Sequence, residues 1–208
     1  DRDLCGGRPL EEVVAAAVDG GASCVQIREK NLSTRAFVAE ARAIKKLLAD
    51  RGVPLIINDR LDVALAAEAD GIHIGQDDMP YPLARRILGK GKIIGLSVET
   101  WEDVEEAEDW DVDYLGVSPI FATPTKTDTR GDWGLDGLAR IRARSRHPLV
   151  AIGGLNAGNA GAAVAAGADG IAVVSAICAA PDPFQAAREL CRIILAYRSP
   201  DGQVPKTD

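Results

Sequence analysis

Two stretches of this chain nearly repeat each other, Ala66-Ala-Glu-Ala-Asp-Gly-Ile72 and Ala165-Ala-Gly-Ala-Asp-Gly-Ile171, and Asp19-Gly-Gly-Ala22 is a looser relative. Each reads as a helix end, a turn and the next strand, with a glycine suited to the left-handed stop of a helix. A βα unit used repeatedly implies parallel strands joined by right-handed crossovers. Outward from the repeats, short β-branched runs alternate with alanine-rich segments. The runs are 24–28, 54–58, 71–74, 93–97, 114–117, 149–152 and 171–174, several of them apolar at nearly every position, as strands covered on both faces are. Helices are expected at 10–18, 34–50, 62–69, 101–109, 135–143, 159–166 and 183–198. In the second of these, Phe37, Ala41, Ile44, Leu47 and Leu48 recur at helical spacing.

Seven strands separated by helices fit a (β/α)8 barrel or an open doubly wound sheet. The open sheet requires a glycine fingerprint after its first strand, and none stands at 29–34. The expected fold is therefore α/β, a (β/α)8 TIM barrel. Its first strand is missing from the visible runs, because residues 1–10 lead straight into a helix, and we expect that strand to precede Asp1. One barrel domain should occupy residues 1–198, with 199–208 as a frayed polar tail.

Composition narrows the function. The 208 residues are 47% apolar, and 24 Lys and Arg against 31 Asp and Glu leave a net charge of −7. That balance disfavours nucleic acid or an anionic membrane as the main partner. No run approaches the ~18 apolar residues of a membrane span, and a cytoplasmic location is expected. Cys5, Cys24, Cys178 and Cys191 form no CxxC pair and read as buried free thiols in a reducing compartment. Two histidines, His73 and His147, make a histidine-based zinc site improbable. Both read as core or supporting residues, and Trp101, Trp110 and Trp133 as packing.

In this architecture function gathers at the carboxyl ends of the strands. Gln26, Arg28 and Lys30 share one side at a period of two, converging two cations and an amide on what suits a polyanion; an ion-pair cluster with Glu29 is the competing reading. Asn58-Asp59-Arg60 and Gly75-Gln-Asp-Asp78 bring acids to successive strand ends, where they either share a hard cation or cap the following helices. Ser97 ends another strand. Thr123, Thr125 and Lys126 lie in a Thr/Pro-rich loop that either grips a phosphate or polar ring edge or has no such role. Gly153-Gly154 and Val174-Ser175 open helices whose free N–H groups make an anion site.

Taken in order, these ends resemble the thiamine-phosphate synthase family. The matching stretches are Val25-Gln-Ile-Arg-Glu-Lys30, Ile57-Asn-Asp-Arg60, Gly71-Ile-His-Ile-Gly-Gln-Asp-Asp78, Gly95-Leu-Ser97, Pro119-Ile-Phe-Ala-Thr-Pro-Thr-Lys126, Ala151-Ile-Gly-Gly154 and Ala172-Val-Val-Ser-Ala-Ile177. The likeness runs from about Leu10 to Leu195. It implies a (β/α)8 barrel that couples a pyrimidine diphosphate to a thiazole phosphate, with Mg²⁺ as cofactor. It places Gln26, Arg28, Lys30, Asn58, Ser97 and Lys126 on the pyrimidine diphosphate and Asp59 and Asp78 on Mg²⁺. Thr123 and Thr125 would face the thiazole phosphate, with Gly154, Val174 and Ser175 around its phosphate. Arg28 and Lys126 are the catalytic candidates, neutralising charge as diphosphate departs. The implied partners are those small molecules, and the oligomeric state stays open. Two rivals remain: a thiazole tautomerase of the same fold, which needs neither metal nor diphosphate groups, and a non-catalytic phosphate-binding barrel. Retention of Arg28, Lys30, Asp59, Asp78 and Lys126 favours the synthase.

Overall fold

The computed structural model describes residues 1–123 and 131–198. It contains seven parallel strands, β1 (Val25–Ile27), β2 (Leu55–Asn58), β3 (Gly71–Ile74), β4 (Ile93–Val98), β5 (Tyr114–Val117), β6 (Leu149–Ile152) and β7 (Gly170–Ala172). They pair in sequence order, each with the next. Around them lie α1 (Leu10–Asp19), α2 (Thr34–Leu48), α3 (Leu61–Ala66), α4 (Tyr81–Leu88), α5 (Trp101–Ala107), α6 (Gly134–Arg144), α7 (Ala160–Ala165), the single turn α8 (Ser175–Cys178) and α9 (Pro183–Arg198). Helix α9, after the last strand, packs on α1, before the first. The helical layer therefore comes round on itself as it does about a barrel. Among the described residues the sheet has seven strands, not eight, and β1 and β7 do not pair with each other.

The two faces of the sheet differ in chemistry. Leu55, Ile57, Ile72, Ile74, Ile94, Leu96, Leu115, Val117, Leu149 and Ala151 belong to one buried cluster with Phe37, Ala41, Ile44 and Leu48 of α2 and with residues of the other helices. Burying each such Leu or Ile is worth ~1.5–3 kcal/mol. Most of the alternate positions that face the other way carry different chemistry: Gln26, Asn58, His73, Ser97 and Tyr114 are polar, Gly95 and Gly116 carry no side chain, and Ile56, Val150 and Ile152 are apolar. The register sets them side by side, with Asn58 opposite His73, His73 opposite Gly95, and Ser97 opposite Gly116.

Local rules explain most element ends. Ser33 accepts from Ala36 N–H to start α2, and Thr100 with Asp103 forms a reciprocal capping box on α5. In the repeated segments the left-handed residue is the third, Glu68 (φ 53°) in one copy and Gly167 (φ 110°) in the other. Helices α3 and α7 consequently stop at Ala66 and Ala165, before the expected 69 and 166. The repeat's aspartate has a role of its own. Asp70 accepts from Leu55 N–H at 2.7 Å and Asp169 from Leu149 N–H at 2.8 Å, each tying the amino end of its strand to the preceding one. Asp113 does the same to Ile94 N–H at 2.8 Å without belonging to the repeat. Asp19 does not: it ends α1, six positions before β1, and pairs with the Arg51 side chain instead.

Other expectations need correction. β1 and β7 are shorter than 24–28 and 171–174, and Val174 leaves the sheet to become the residue before α8. Helix α4 was absent from the expected set. All four cysteines are free, but only Cys5 is buried; Cys178 and Cys191 are half-buried and Cys24 is exposed. The tail at 199–208 lies outside the described residues. No helix among those described is long and apolar enough to cross a membrane.

Candidate functional site

The carboxyl ends of β1 to β4 bring together most of the residues singled out from sequence. Beyond β1, Lys30 Nζ lies 2.5 Å from Asp59 Oδ2 and Arg28 Nη1 lies 3.3 Å from Asp1 Oδ2. Glu29 is not their partner; it accepts the Arg2 backbone N–H at 3.2 Å. The Arg28 and Lys30 side chains keep 30% and 53% of their surface open to solvent, so both remain available to an anionic ligand.

Asp59 is built into a constrained position. Its N–H still donates to His73 O of β3 at 2.8 Å, continuing the ladder, and the chain then turns left-handed with Asp59 at φ 63°. Aspartate tolerates that region better than most residues, yet the conformation costs of order 1 kcal/mol or more and is typical of functional positions. Asp78 reaches back to accept Gly75 N–H at 2.8 Å. Its carboxyl holds its proton more tightly than an ordinary Asp because it is partly buried; the Gly75 N–H works against this, and the hydrogen-bonded neighbour Asp59 adds to it. Two carboxylates thus stand in contact with one ammonium beside them. Neither caps a helix: the residues before α3 and α4 are Arg60 and Pro80, and no side chain accepts there. The capping alternative falls away, and two adjacent carboxylates are a donor set that fits a hard divalent cation with water and phosphate completing its shell. A larger protein cage is absent, since no group of three acidic, His or Cys ligands occurs among the described residues.

Next to them, Gln76 Nε2 donates to Ser97 O at 2.8 Å, fixing the end of β4 against the turn after β3. Ser97 is nearly buried, and its Oγ lies 2.8 Å from His73 Nε2. Asn58 ends β2 beside Asp59 and is half-buried.

The opposite side carries the glycine turn. Gly153 and Gly154 have φ of 97° and 65°, a region closed to most side chains. A Cβ on Gly154 would stand 2.8 Å from Phe121 Cβ and 3.0 Å from Ala122 O. The turn is therefore clamped against the loop that carries Thr123, and Phe121 N–H donates to Gly153 O at 3.2 Å. Asn159 Nδ2 closes it by donating to Gly154 O at 2.9 Å. Ser175 opens α8, whose first N–H groups have no acceptor within the helix. Thr125 and Lys126 lie outside the described residues.

Sequence reasoning passed over Tyr114 and gave His73 no specific partner. The available signal was the pair of mid-strand glycines, Gly95 and Gly116, since a glycine inside a strand often marks the close approach of another group. His147 is buried with Nε2 3.1 Å from Ala107 O, far along the chain from the cluster, and supports the fold.

Comparison with known proteins gives the family. The family model described as thiamine monophosphate synthase matches residues 1–177. The thiamine-phosphate synthase of Albidiferax ferrireducens is 60% identical over 194 residues, covering 93% of this chain and 89% of that protein. That of Vibrio campbellii is 52% identical over 181 residues, covering 87% and 89%. Among solved structures, thiamine phosphate pyrophosphorylase from Pyrococcus furiosus superposes with a TM-score of 0.88 at 39% identity, covering 96% of this chain and 94% of that one. The site residues named from sequence fall within the matched stretch, and the chain belongs to the thiamine monophosphate synthase family.

Proposed function

We propose the following chemistry for the thiamine-phosphate synthase activity, a transferase activity, that membership of this family brings to the chain. The substrates are a hydroxymethylpyrimidine diphosphate and a thiazole phosphate. The bond from the pyrimidine methylene carbon to diphosphate oxygen breaks first, and diphosphate leaves with the electron pair. The thiazole nitrogen then donates its lone pair to the resulting pyrimidine-methyl cation, giving thiamine phosphate. No proton is lost from the attacking ring nitrogen, so the step needs no general base of the Ser-His-Asp or Cys-His kind.

Gln26, Arg28, Lys30, Asn58 and Ser97 hold the pyrimidine diphosphate, and Lys126 joins them. Arg28 and Lys126 act most as the bond breaks, because negative charge grows on the leaving oxygens. Asp59 and Asp78 hold Mg²⁺, which when bound supplies charge neutralisation to the departing diphosphate. Thr123, Thr125 and the Gly154, Val174 and Ser175 backbone receive the thiazole phosphate. An eighth strand between β7 and β1 closes the barrel, and the enzyme works in the cytoplasm.

The observation that carries this reading is the pairing of Lys30 with Asp59, which is itself against Asp78, with Arg28 two residues before Lys30 at the end of the same strand. A thiazole tautomerase needs no such group, and neither does a phosphate-binding barrel without activity. Incubation with both substrates and Mg²⁺ should yield thiamine phosphate and diphosphate in equal amounts. Chelation should abolish the product and Mg²⁺ restore it. Turnover that persists undiminished in excess chelator would remove the metal from the scheme.

A further inference from the structure

Residues 1–8 reach both sides of the candidate site. At one end Asp1 Oδ2 lies 3.3 Å from Arg28 Nη1. At the other Arg8 donates to three carbonyls: from Nη2 to Cys178 O at 2.7 Å, from Nε to Cys5 O at 3.1 Å and from Nη1 to Pro181 O at 3.4 Å. Between them the Arg2 guanidinium pairs with the buried Glu40 carboxylate of α2, Arg2 N–H donates to Glu29 Oε1 at 3.2 Å, and Cys5 is fully buried. The segment is thus pinned by contacts that do not use the Asp1 carboxylate.

That carboxylate is weakly engaged. It takes a single guanidinium nitrogen at 3.3 Å, longer than the ~2.7–2.9 Å of a strong charge-assisted hydrogen bond. Lys30 and Asp59, by contrast, are 2.5 Å apart. A guanidinium carries its N–H donors in a planar fork, so one carboxylate oxygen on one nitrogen leaves the rest for another acceptor. The Asp1 side chain keeps only 15% of its surface exposed, and water screens its charge poorly. A negative group in that place repels any polyanion that comes to Arg28. We infer that Asp1 is an internal counter-anion that competes with diphosphate for Arg28, holding the guanidinium in the unliganded site and taking it back as product leaves. The inference rests on the reading of Arg28 as a diphosphate contact. Diphosphate gains an anionic oxygen when its bond to the pyrimidine methylene carbon breaks. Repulsion from Asp1 therefore weighs more on the released product than on the bound substrate, and the carboxylate speeds product exchange at a small cost in substrate affinity.

Inorganic diphosphate with saturating Mg²⁺, titrated calorimetrically into the protein at low salt, reads this competition without turnover. Asp1→Asn keeps the side-chain shape and removes the charge. Its affinity for diphosphate should rise by about 5-fold, the upper end for one partly exposed ion pair. KM for the pyrimidine diphosphate should fall by about 2-fold, and product diphosphate should inhibit the variant at lower concentration than wild type. The melting temperature should stay at the wild-type value, since the segment keeps its other anchors. In an Arg28→Gln background the same substitution should change diphosphate affinity by less than about 2-fold, because the contested cation is gone. Weaker or unchanged binding by Asp1→Asn would overturn the proposal, weaker binding being what a merely structural role predicts. So would an equal gain in both backgrounds, the mark of net charge alone. Arg28→Gln by itself should weaken diphosphate binding by about 10-fold or more. Should it have no effect, or should wild type bind no diphosphate, the reading of Arg28 falls and takes the inference with it. If Arg28→Gln weakens binding while Asp1→Asn does not tighten it, the inference alone is struck.

Discussion

The two ends of the sheet handle charge in opposite ways. At the amino ends, Asp70, Asp113 and Asp169 each accept a neighbouring strand's N–H and pair with one cation: Lys45 at 2.6 Å, Arg85 at 2.6 Å and Arg142 at 3.0 Å. Charge is matched one to one, and the bonds stitch strand to strand. At the carboxyl ends Asp59 and Asp78 touch each other, Asp59 sits in left-handed backbone, and Arg28 and Lys30 stay partly open to solvent. That end is held in an arrangement its charges would not choose, and under the proposed function a cation and a polyanion would balance it. The same strands thus carry stability at one end and reactivity at the other, and substitutions at the two ends should separate the two properties.

The largest separation is expected at the acid pair. Asp59→Asn or Asp78→Asn keeps the side-chain shape and, at 78, an acceptor for Gly75 N–H. Activity should nevertheless fall by about 10²–10³, the usual cost of losing one preorganised charge partner of a leaving group. Melting temperature should hold or rise, since one of two crowded carboxylates becomes neutral. A variant that loses stability in proportion to activity would show that these acids are structural. Gly154→Val comes next. Its Cβ would press on Phe121 and Ala122 and displace the loop that carries Thr123, so KM for the thiazole phosphate should rise by at least ~10-fold. KM for the pyrimidine diphosphate should barely move, and equal weakening of both substrates would disconnect this turn from one substrate.

The amino end should answer in the reverse sense. Asp169→Ala strips the acceptor from Leu149 N–H and the partner from Arg142, and should cost ~1–3 kcal/mol in denaturant unfolding. At temperatures where the variant is folded, kcat should match wild type. A changed kcat would mean that the ends of the sheet are coupled.

How much of this contrast the sequence revealed follows from how local each signal is. The strands and their parallel order were legible because Ile72, Ile94 and Leu115 stand in short apolar runs and because the repeat marks the returns into β3 and β7. The candidates at 26, 28, 30, 59 and 78 can be named from sequence because strand ends hold function in such folds. The pairing of Lys30 with Asp59 was not, since it joins residues 29 positions apart through the β1–β2 register. Nor was the role of Asp70 and Asp169, which stand in the repeat but act on the preceding strand. Helix α4 escaped because Arg85 and Arg86 interrupt its short apolar stripe of Tyr81, Ala84 and Leu88. His73, Tyr114 and Ser97 lie on three strands, and only the register brings them into line.

The smallest effect concerns acid. Burial alone would raise the proton affinity of Asp70, but the hydrogen bond from Lys45 and that from Leu55 N–H outweigh it, and its carboxyl ionises at lower pH than an ordinary Asp. Glu108 is also depressed: burial opposes, while Ser145 and the Arg146 N–H prevail. A carboxyl with a depressed folded-state pKa leaves the unfolded chain binding more protons as pH falls through the region near 4. Its contribution is present in full above that region and is lost as pH drops through the lowered folded-state value. The Asp70 side chain is a third exposed, so solvent screening holds its share to about 0.5–1 kcal/mol. The melting temperature of Asp70→Asn should therefore lie below wild type at pH 6, and the gap should close as pH approaches 3. Activity above pH 5 should be the same in both, because Asp70 sits at the end of β3 remote from Asp78. A gap that stays constant down to pH 3 would show that the Asp70 charge contributes nothing and that the bond to Leu55 N–H alone holds the strands together.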